Sequence, residues 1–194
     1  MADLKLIKEI RNQTGASVKD INKALSQAKD NKEKALIILE KKGKKIALQK
    51  SQRNTNEGII EAYIHANGKV GVLIEIACET DFVARNEAFA KLAHNIAMHI
   101  AAMAPMYVSE DYIPVSEIKK KEAIIADSDD VRDKPKQIQL KIIQGKISAY
   151  KSEISLLDQS FVKDQDKTIA NLIQDATAKL GEKIEIKRFT RFAL

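Results

Sequence analysis

The sequence predicts an α+β chain, in which three short N-terminal helices precede a core with a small antiparallel β-sheet packed against helices. Three observations predict it. Apolar residues recur at helical spacing as far as Leu39, the period switches to two around Asn67-Gly68, and helical spacing returns beyond Thr80.

In Leu4–Asn12 the apolar residues Leu4, Ile7 and Ile10 recur every third position, and Gly15 follows as a helix stop. Ser17 then precedes Val18, Ile21, Ala24, Leu25 and Ala28, with Asp20 three residues beyond it in a loose capping-box arrangement. Ala35, Leu36, Ile38 and Leu39 lie between the Asp30-Asn31 turn signal and Gly43, where a helix end places its left-handed residue. Three helices of about three turns enclose little core, so this module is expected to be marginal alone. The basic stretch Lys44–Arg53 leads into Asn54-Thr55-Asn56, read as a linker, and the chain divides there into domains 1–53 and 54–194.

In the second part Ile60, Ala62 and Ile64 alternate with Glu61, Tyr63 and His65, and Val70, Val72, Ile74 and Ile76 follow at alternate positions. Asn67-Gly68 between two such runs is a strong hairpin signal, because both residue types tolerate positive φ. From the cap candidate Asn86, the stripe Phe89, Leu92, Ala93, Ile96, Ala97 and Ile100 runs towards Pro105, a long helix expected to cover the hairpin. Another helix is expected from Pro114 through Val115, Ile118, Ala123 and Ile125; Asp127–Asp133 reads as an acidic connection, and a further helix spans roughly Ile138–Ser155. After Gly181, Ile184 and Ile186 lead into Arg188-Phe189-Thr190-Arg191-Phe192, a strand expected to join the hairpin's sheet.

Composition narrows the function. Of 194 residues 44% are hydrophobic and 31% charged, with three prolines and seven glycines, which excludes disordered and collagen-like classes. No uncharged run approaches the roughly 18 to 20 residues that span a bilayer, and Asp3, Lys5, Lys8 and Glu9 fall where a leader would be apolar, so neither membrane anchor nor signal peptide is expected. The single cysteine, Cys78, can form no internal disulfide, which fits a reducing compartment, the cytoplasm. Net charge is +6, but residues 1–53 carry fourteen Lys and Arg against six Asp and Glu, while the remainder carries nineteen against twenty-one. Such an excess suits nucleic acid or docking on an acidic protein surface.

Catalytic and metal signatures are thin. His94 and His99 are five residues apart on a helix, about 140° around its axis, and cannot readily share a ligand; His65 is assigned to a strand, and no metal is expected. Cys78 reads as a buried structural thiol. No Walker A or Gly-x-Gly-x-x-Gly loop is present, and no cofactor is expected. Residues 1–53 contain no Phe, Tyr or Trp, which removes the stacking platform used for single-stranded nucleic acid. The informative stretch is Cys78-Glu79-Thr80-Asp81-Phe82-Val83-Ala84-Arg85-Asn86, a strand-to-helix corner carrying a large aromatic beside an acid. From the residues alone two readings stand: Phe82 tucks under the next helix as a staple while Asp81 caps a turn, or Phe82 protrudes as an interface anchor.

These residues resemble the bacterial elongation factor Ts family, the guanine-nucleotide exchange factors for elongation factor Tu. The resemblance also runs through Leu6-Ile7-Lys8-Glu9-Ile10-Arg11, Thr14-Gly15-Ala16, Lys23-Ala24-Leu25, Glu57-Gly58 and Gly68-Lys69-Val70-Gly71-Val72. It continues in Leu156-Leu157-Asp158-Gln159-Ser160-Phe161-Val162-Lys163-Asp164 and Gly181-Glu182-Lys183-Ile184, so it covers nearly the whole chain. It implies that residues 1–53 are a ubiquitin-associated-like three-helix domain, and that 54–194 form a core that also dimerises. It implies that Asp81 and Phe82 insert near the partner GTPase's magnesium site, with Thr80 and Val83 fixing their backbone and packing. Val18, with Lys19 and Lys23 nearby, would hold the partner through the N-terminal domain. Exchange without bond chemistry, release when GTP binds, and no direct nucleic-acid or membrane contact follow from the same resemblance. Only one core hairpin is visible, as in short members, which pair two cores through their sheets; a homodimer and a two-plus-two complex are therefore expected. Thr190 stands where some short members carry a cross-linking cysteine, and Ser160 where proline is frequent. A nucleic-acid or ribosome-associated protein using the basic helices is the alternative, and an enzyme built on Asp81 a third class.

Overall fold

A computed structural model describes residues 3–194. The first helix, α1 (Leu4–Thr14), begins at Asp3, whose carboxylate accepts from the Lys5 amide, and ends at Gly15 in the left-handed region at φ 68°. In α2 (Val18–Gln27) the Ser17 hydroxyl accepts from the Asp20 amide at 3.1 Å, the local cap that the Ser-x-x-Asp spacing predicts. The third helix departs from expectation, since α3 runs unbroken from Lys32 to Lys50, through Gly43 and most of the basic stretch that leads into Asn54-Thr55-Asn56. Gly43 is not a stop. It lies on the face that packs against α9 (Ile169–Leu180), where an added Cβ would sit 3.5 Å from that of Ala178. Tertiary packing thus carries the helix across a residue that costs about 1 kcal/mol relative to alanine. Ile7, Ile10, Ile21, Ala24, Leu25, Ala28, Ala35 and Leu39 form a small core of their own, and the second half of α3 ties that module to the rest.

Three strands, β1 (Glu57–Ile64), β2 (Val70–Cys78) and β5 (Glu185–Ala193), form an antiparallel sheet in the order β1-β2-β5. The C-terminal strand joins the hairpin as expected. The turn differs: only Gly68 has positive φ, and the strands are joined through His65–Lys69. Asn67 uses its side chain instead, accepting from the Lys69 amide at 2.9 Å, so it needs no left-handed backbone. His65 lies in this turn rather than in the strand.

Helix α5 (Glu87–Met103), capped by Asn86, buries Phe89, Ala93, Ile96, Ala97 and Ile100 against Val72, Ile74, Ile76 and Cys78. Because opposite residues of an antiparallel pair share a face, the inner positions of β1 are Ile59, Glu61 and Tyr63. Ile60, Ala62 and Ile64 face outwards, beside Leu73 and Phe192. The inward Glu61 is matched by His94 of α5 at 2.9 Å.

Helix α6 (Val115–Ala126) and helix α8 (Lys136–Ile154) close a second small cluster around Ile125, Val131 and Ile147. The acidic connection contains one helical turn, α7 (Asp129–Arg132), formed so that Val131 can be buried. The short hairpin β3 (Ser160–Phe161) with β4 (Asp164–Thr168), and α9 after it, have no counterpart in the sequence-based expectation. The signal for α9 was present in the Thr168/Asn171 capping box and in Gly181, which closes the helix at φ 75°. His99 is fully buried. Its Nδ1 accepts from the Val162 amide at 3.2 Å, which leaves Nε2–H to donate to Gln159 at 2.9 Å, and burial lowers its pKa. It pins the segment after α8 to α5 as a neutral structural histidine.

Candidate protein-docking corners

The corner between β2 and α5 contains one turn of helix, α4 (Asp81–Ala84), where sequence reasoning placed a loop. Thr80 is its N-cap residue, but the Thr80 hydroxyl makes no bond to its own helix. It donates to Glu182 Oε1 at 2.6 Å, while Glu182 Oε2 accepts from the amides of Glu79 and Thr80 at 3.1 and 3.0 Å. Glu79 reaches the opposite way, accepting from the Lys183 amide at 2.6 Å and from Arg53 at 3.0 Å. Burial alone would raise the Glu79 pKa, but these donors outweigh it and hold the carboxyl below its ordinary value. Glu79 and Glu182 are the residues of this corner that sequence reasoning did not single out. Their bonds to each other's segments join positions about a hundred apart in sequence, and no local pattern announces them.

Val83 and Ala84 pack on the main core, whereas Phe82 is 83% exposed. The aromatic therefore does not tuck under α5, and the staple reading is overturned. A helical turn whose third residue is packed against the core points its second away from it. Asp81, at the first helical position, pairs with Arg85 at 3.2 Å. Cys78 is buried behind the corner, its thiol pushed up to about 11 by desolvation and by the Glu182 charge, which keeps it protonated.

The second corner lies between α1 and α2. Val18, the first residue of α2, is 42% exposed, and Lys19 and Lys23, four apart on that helix, are exposed beside it. Neither lysine has an ion-pair partner among the described residues, whereas Asp20 next to them is paired with Lys42, whose hydrogen bond lowers the Asp20 pKa. A cleft of about 810 Å³ runs from this corner between α3 and the α5/α9 side, past Ser17, Lys42, Lys91 and Lys179; Phe82 is no part of its wall. Among the described residues no group of three or more His, Cys, Asp or Glu is placed to hold a metal, and no helix is long and apolar enough to cross a membrane.

Two helix starts that offer an apolar side chain to solvent beside unmatched or lightly matched charge have the makeup of surfaces that bind another protein. The sequence comparisons agree with that class. The family described as elongation factor TS matches residues 4–194. The chain is 47% identical to elongation factor Ts of Acaryochloris marina over 97% of its own length and 79% of that relative. It is 45% identical to that of Fervidobacterium nodosum, covering 97% and 96% of the two chains, and 42% identical to that of Thermosipho melanesiensis, covering 100% and 99%. The chain belongs to the elongation factor Ts family, and so to the proteins of translation elongation.

Proposed function

We propose that this chain is the guanine-nucleotide exchange factor of elongation factor Tu, acting in the cytoplasm without breaking or making covalent bonds. The observation that carries the reading is an exposed Phe82 on a corner fixed from behind, in a chain of this family. Phe82 enters an apolar crevice of the GTPase and shifts the elements around it, while Asp81 disturbs the polar contacts that support Mg²⁺. Magnesium demands near-ideal octahedral geometry, so a small displacement around it loosens its hold on the GDP phosphates. Thr80 and Val83 act from behind, one through Glu182 and the other through the core. By linkage, the factor by which this protein weakens nucleotide binding is the factor by which GTP weakens its own, so GTP expels it.

Residues 1–53 serve as the docking domain, with Val18, Lys19 and Lys23 on the contact face, and 54–194 as the core. The outer face of the sheet supports a homodimer, and with it a two-plus-two complex: Ile60, Ile64, Leu73 and Phe192 are exposed there, around 50 to 70% each, in adjoining strands. Thr190, paired with Leu73 at the centre of that face, offers no thiol, so association rests on packing. Leu73→Lys should turn a dimer into a monomer in sedimentation equilibrium, and a monomeric wild type would remove the dimer.

The decisive experiment is release of fluorescent GDP from elongation factor Tu with catalytic amounts of this protein, wild type against Asp81→Ala and Phe82→Ala. Phe82→Ala should slow release by about tenfold or more, the scale of an interface hot spot, with an unchanged melting temperature. No acceleration by folded wild type would reject the exchange reading. Salt-sensitive RNA binding would then support the basic N-terminal helices as a nucleic-acid site.

A further inference from the structure

The α4 turn has little reason to hold its own shape. It spans four residues, its N-cap hydroxyl does not cap it, and its largest side chain, Phe82, is mostly in solvent. A single turn fixes more backbone dihedrals than it gains hydrogen bonds, so its direction must come from outside. Cys78, at the end of β2, donates its thiol to the Thr80 carbonyl at 3.2 Å, and two further contacts reach the turn from outside. One is the packing of the partly buried Val83 and Ala84 against the core, which fixes the end of the turn. The other is Glu182, in the connection between α9 and β5, which fixes its beginning through three accepted hydrogen bonds, two of them from backbone amides. The arrangement is reciprocal, because the Glu79 carboxylate accepts the amide of Lys183, the neighbour of Glu182. Each strand-end carboxylate satisfies the other segment's backbone. Arg53, just beyond α3, completes the junction: its guanidinium meets Glu79, and its carbonyl accepts from Lys183 Nζ at 3.0 Å.

We infer that Glu182 is a positioning residue of the exchange surface: by holding the Glu79 and Thr80 backbone it sets the direction in which Asp81 and Phe82 project. The inference rests on the proposed role of Phe82. A carboxylate suits the task because it accepts on both oxygens and presents no donor to the facing amides. Glutamine keeps one accepting oxygen and turns an NH₂ towards the rest.

The test uses the full chain, as wild type, Glu182→Ala, Glu182→Gln and Phe82→Ala. Three quantities are read: kcat and KM for GDP release from elongation factor Tu, hydrogen-exchange protection of the Glu79 and Thr80 amides in the free protein, and the melting temperature. Glu182→Ala should lower kcat about tenfold, as expected for losing charge-assisted bonds to a buried-side backbone, while KM changes less than about twofold. Protection at the two amides should fall in Glu182→Ala, and Glu182→Gln should lie between it and wild type in both readouts. Wild-type kcat in folded Glu182→Ala, with Phe82→Ala impaired, overturns the inference and leaves the exchange reading standing. Exchange by wild type that is unaffected by Phe82→Ala overturns the inference together with the role of Phe82 on which it rests. Loss of kcat matched by loss of protection across the whole core marks a general structural role and also overturns it, and Glu182→Gln supplies the same decision should the alanine variant fail to fold.

Discussion

The two corners at Ser17–Val18 and Thr80–Phe82 both open a helix and both hold an apolar side chain in solvent, yet they are supported in opposite ways. At the first, Ser17 caps its own helix three residues on, and ten residues of α2 rest on Ile21, Ala24 and Leu25. At the second the helix is one turn without a side-chain cap, and its N-cap residue Thr80 is held by Glu182, 102 positions downstream. A surface that only has to be recognised can be built locally. A surface that has to displace parts of its partner must not yield itself, since any strain it creates would relax in its own weakest element. Bracing the short turn against the α9–β5 connection and the main core meets that need. On the proposed roles of Val18 and Phe82, the difference between the corners would separate affinity from exchange.

The largest effects should divide along the same line. Val18→Asp places a charge where Val18 is expected to meet the partner, and at the first position of α2 an acid is compatible with the helix dipole, so the fold should persist. KM for exchange should rise about tenfold with kcat nearly unchanged, the scale of one desolvated interface residue, whereas Phe82→Ala should lower kcat. Steady-state GDP release at varied concentrations of this protein gives both parameters. If both variants move the same one, the division of labour is wrong. Deleting residues 1–53 is a blunter instrument, because it would also strip α3 from α9, where Gly43 lies against Ala178.

What could be read from the sequence follows how local each cause is. Ser17 and Asp20, the alternation from Val70 to Cys78, and the Phe89-to-Ile100 stripe act within a turn or a strand, and each is found in the structure. Gly43 misled because a helix stop and a helix-packing glycine look alike until α9 is in place. In β1 the apolar set Ile60, Ala62 and Ile64 looks like a core face, but register with β2 turns it outwards. Exposure of Phe82 could not be decided from neighbouring residues, which fit a staple as well as an anchor. It depends on Val83 and Ala84 reaching the core and on Glu182 holding the other side, both of them long-range facts. The family resemblance pointed to the corner, and the geometry adds what holds it.

The smallest expected effect tests whether the second corner alone depends on carboxylate charge. Glu79 is held below its ordinary value of 4.5; burial opposes this, but the Lys183 amide and Arg53 prevail. A carboxylate whose folded value lies below its unfolded one binds fewer protons in the native state, so its stabilisation is complete above the unfolded value and is lost as pH falls through the folded one. Acidification below about 4.5 should therefore lower the protection factor of the Lys183 amide, which donates to Glu79. The Asp20 amide donates to the Ser17 hydroxyl, which does not titrate, so its protection should respond less, even though the Asp20 carboxylate has a lowered pKa of its own. Glu79→Gln should flatten the acid response at Lys183 and leave Asp20 as it was. Parallel loss at both amides would mean that acid opens the molecule as a whole, and the two corners would then differ in how they are built but not in what sustains them.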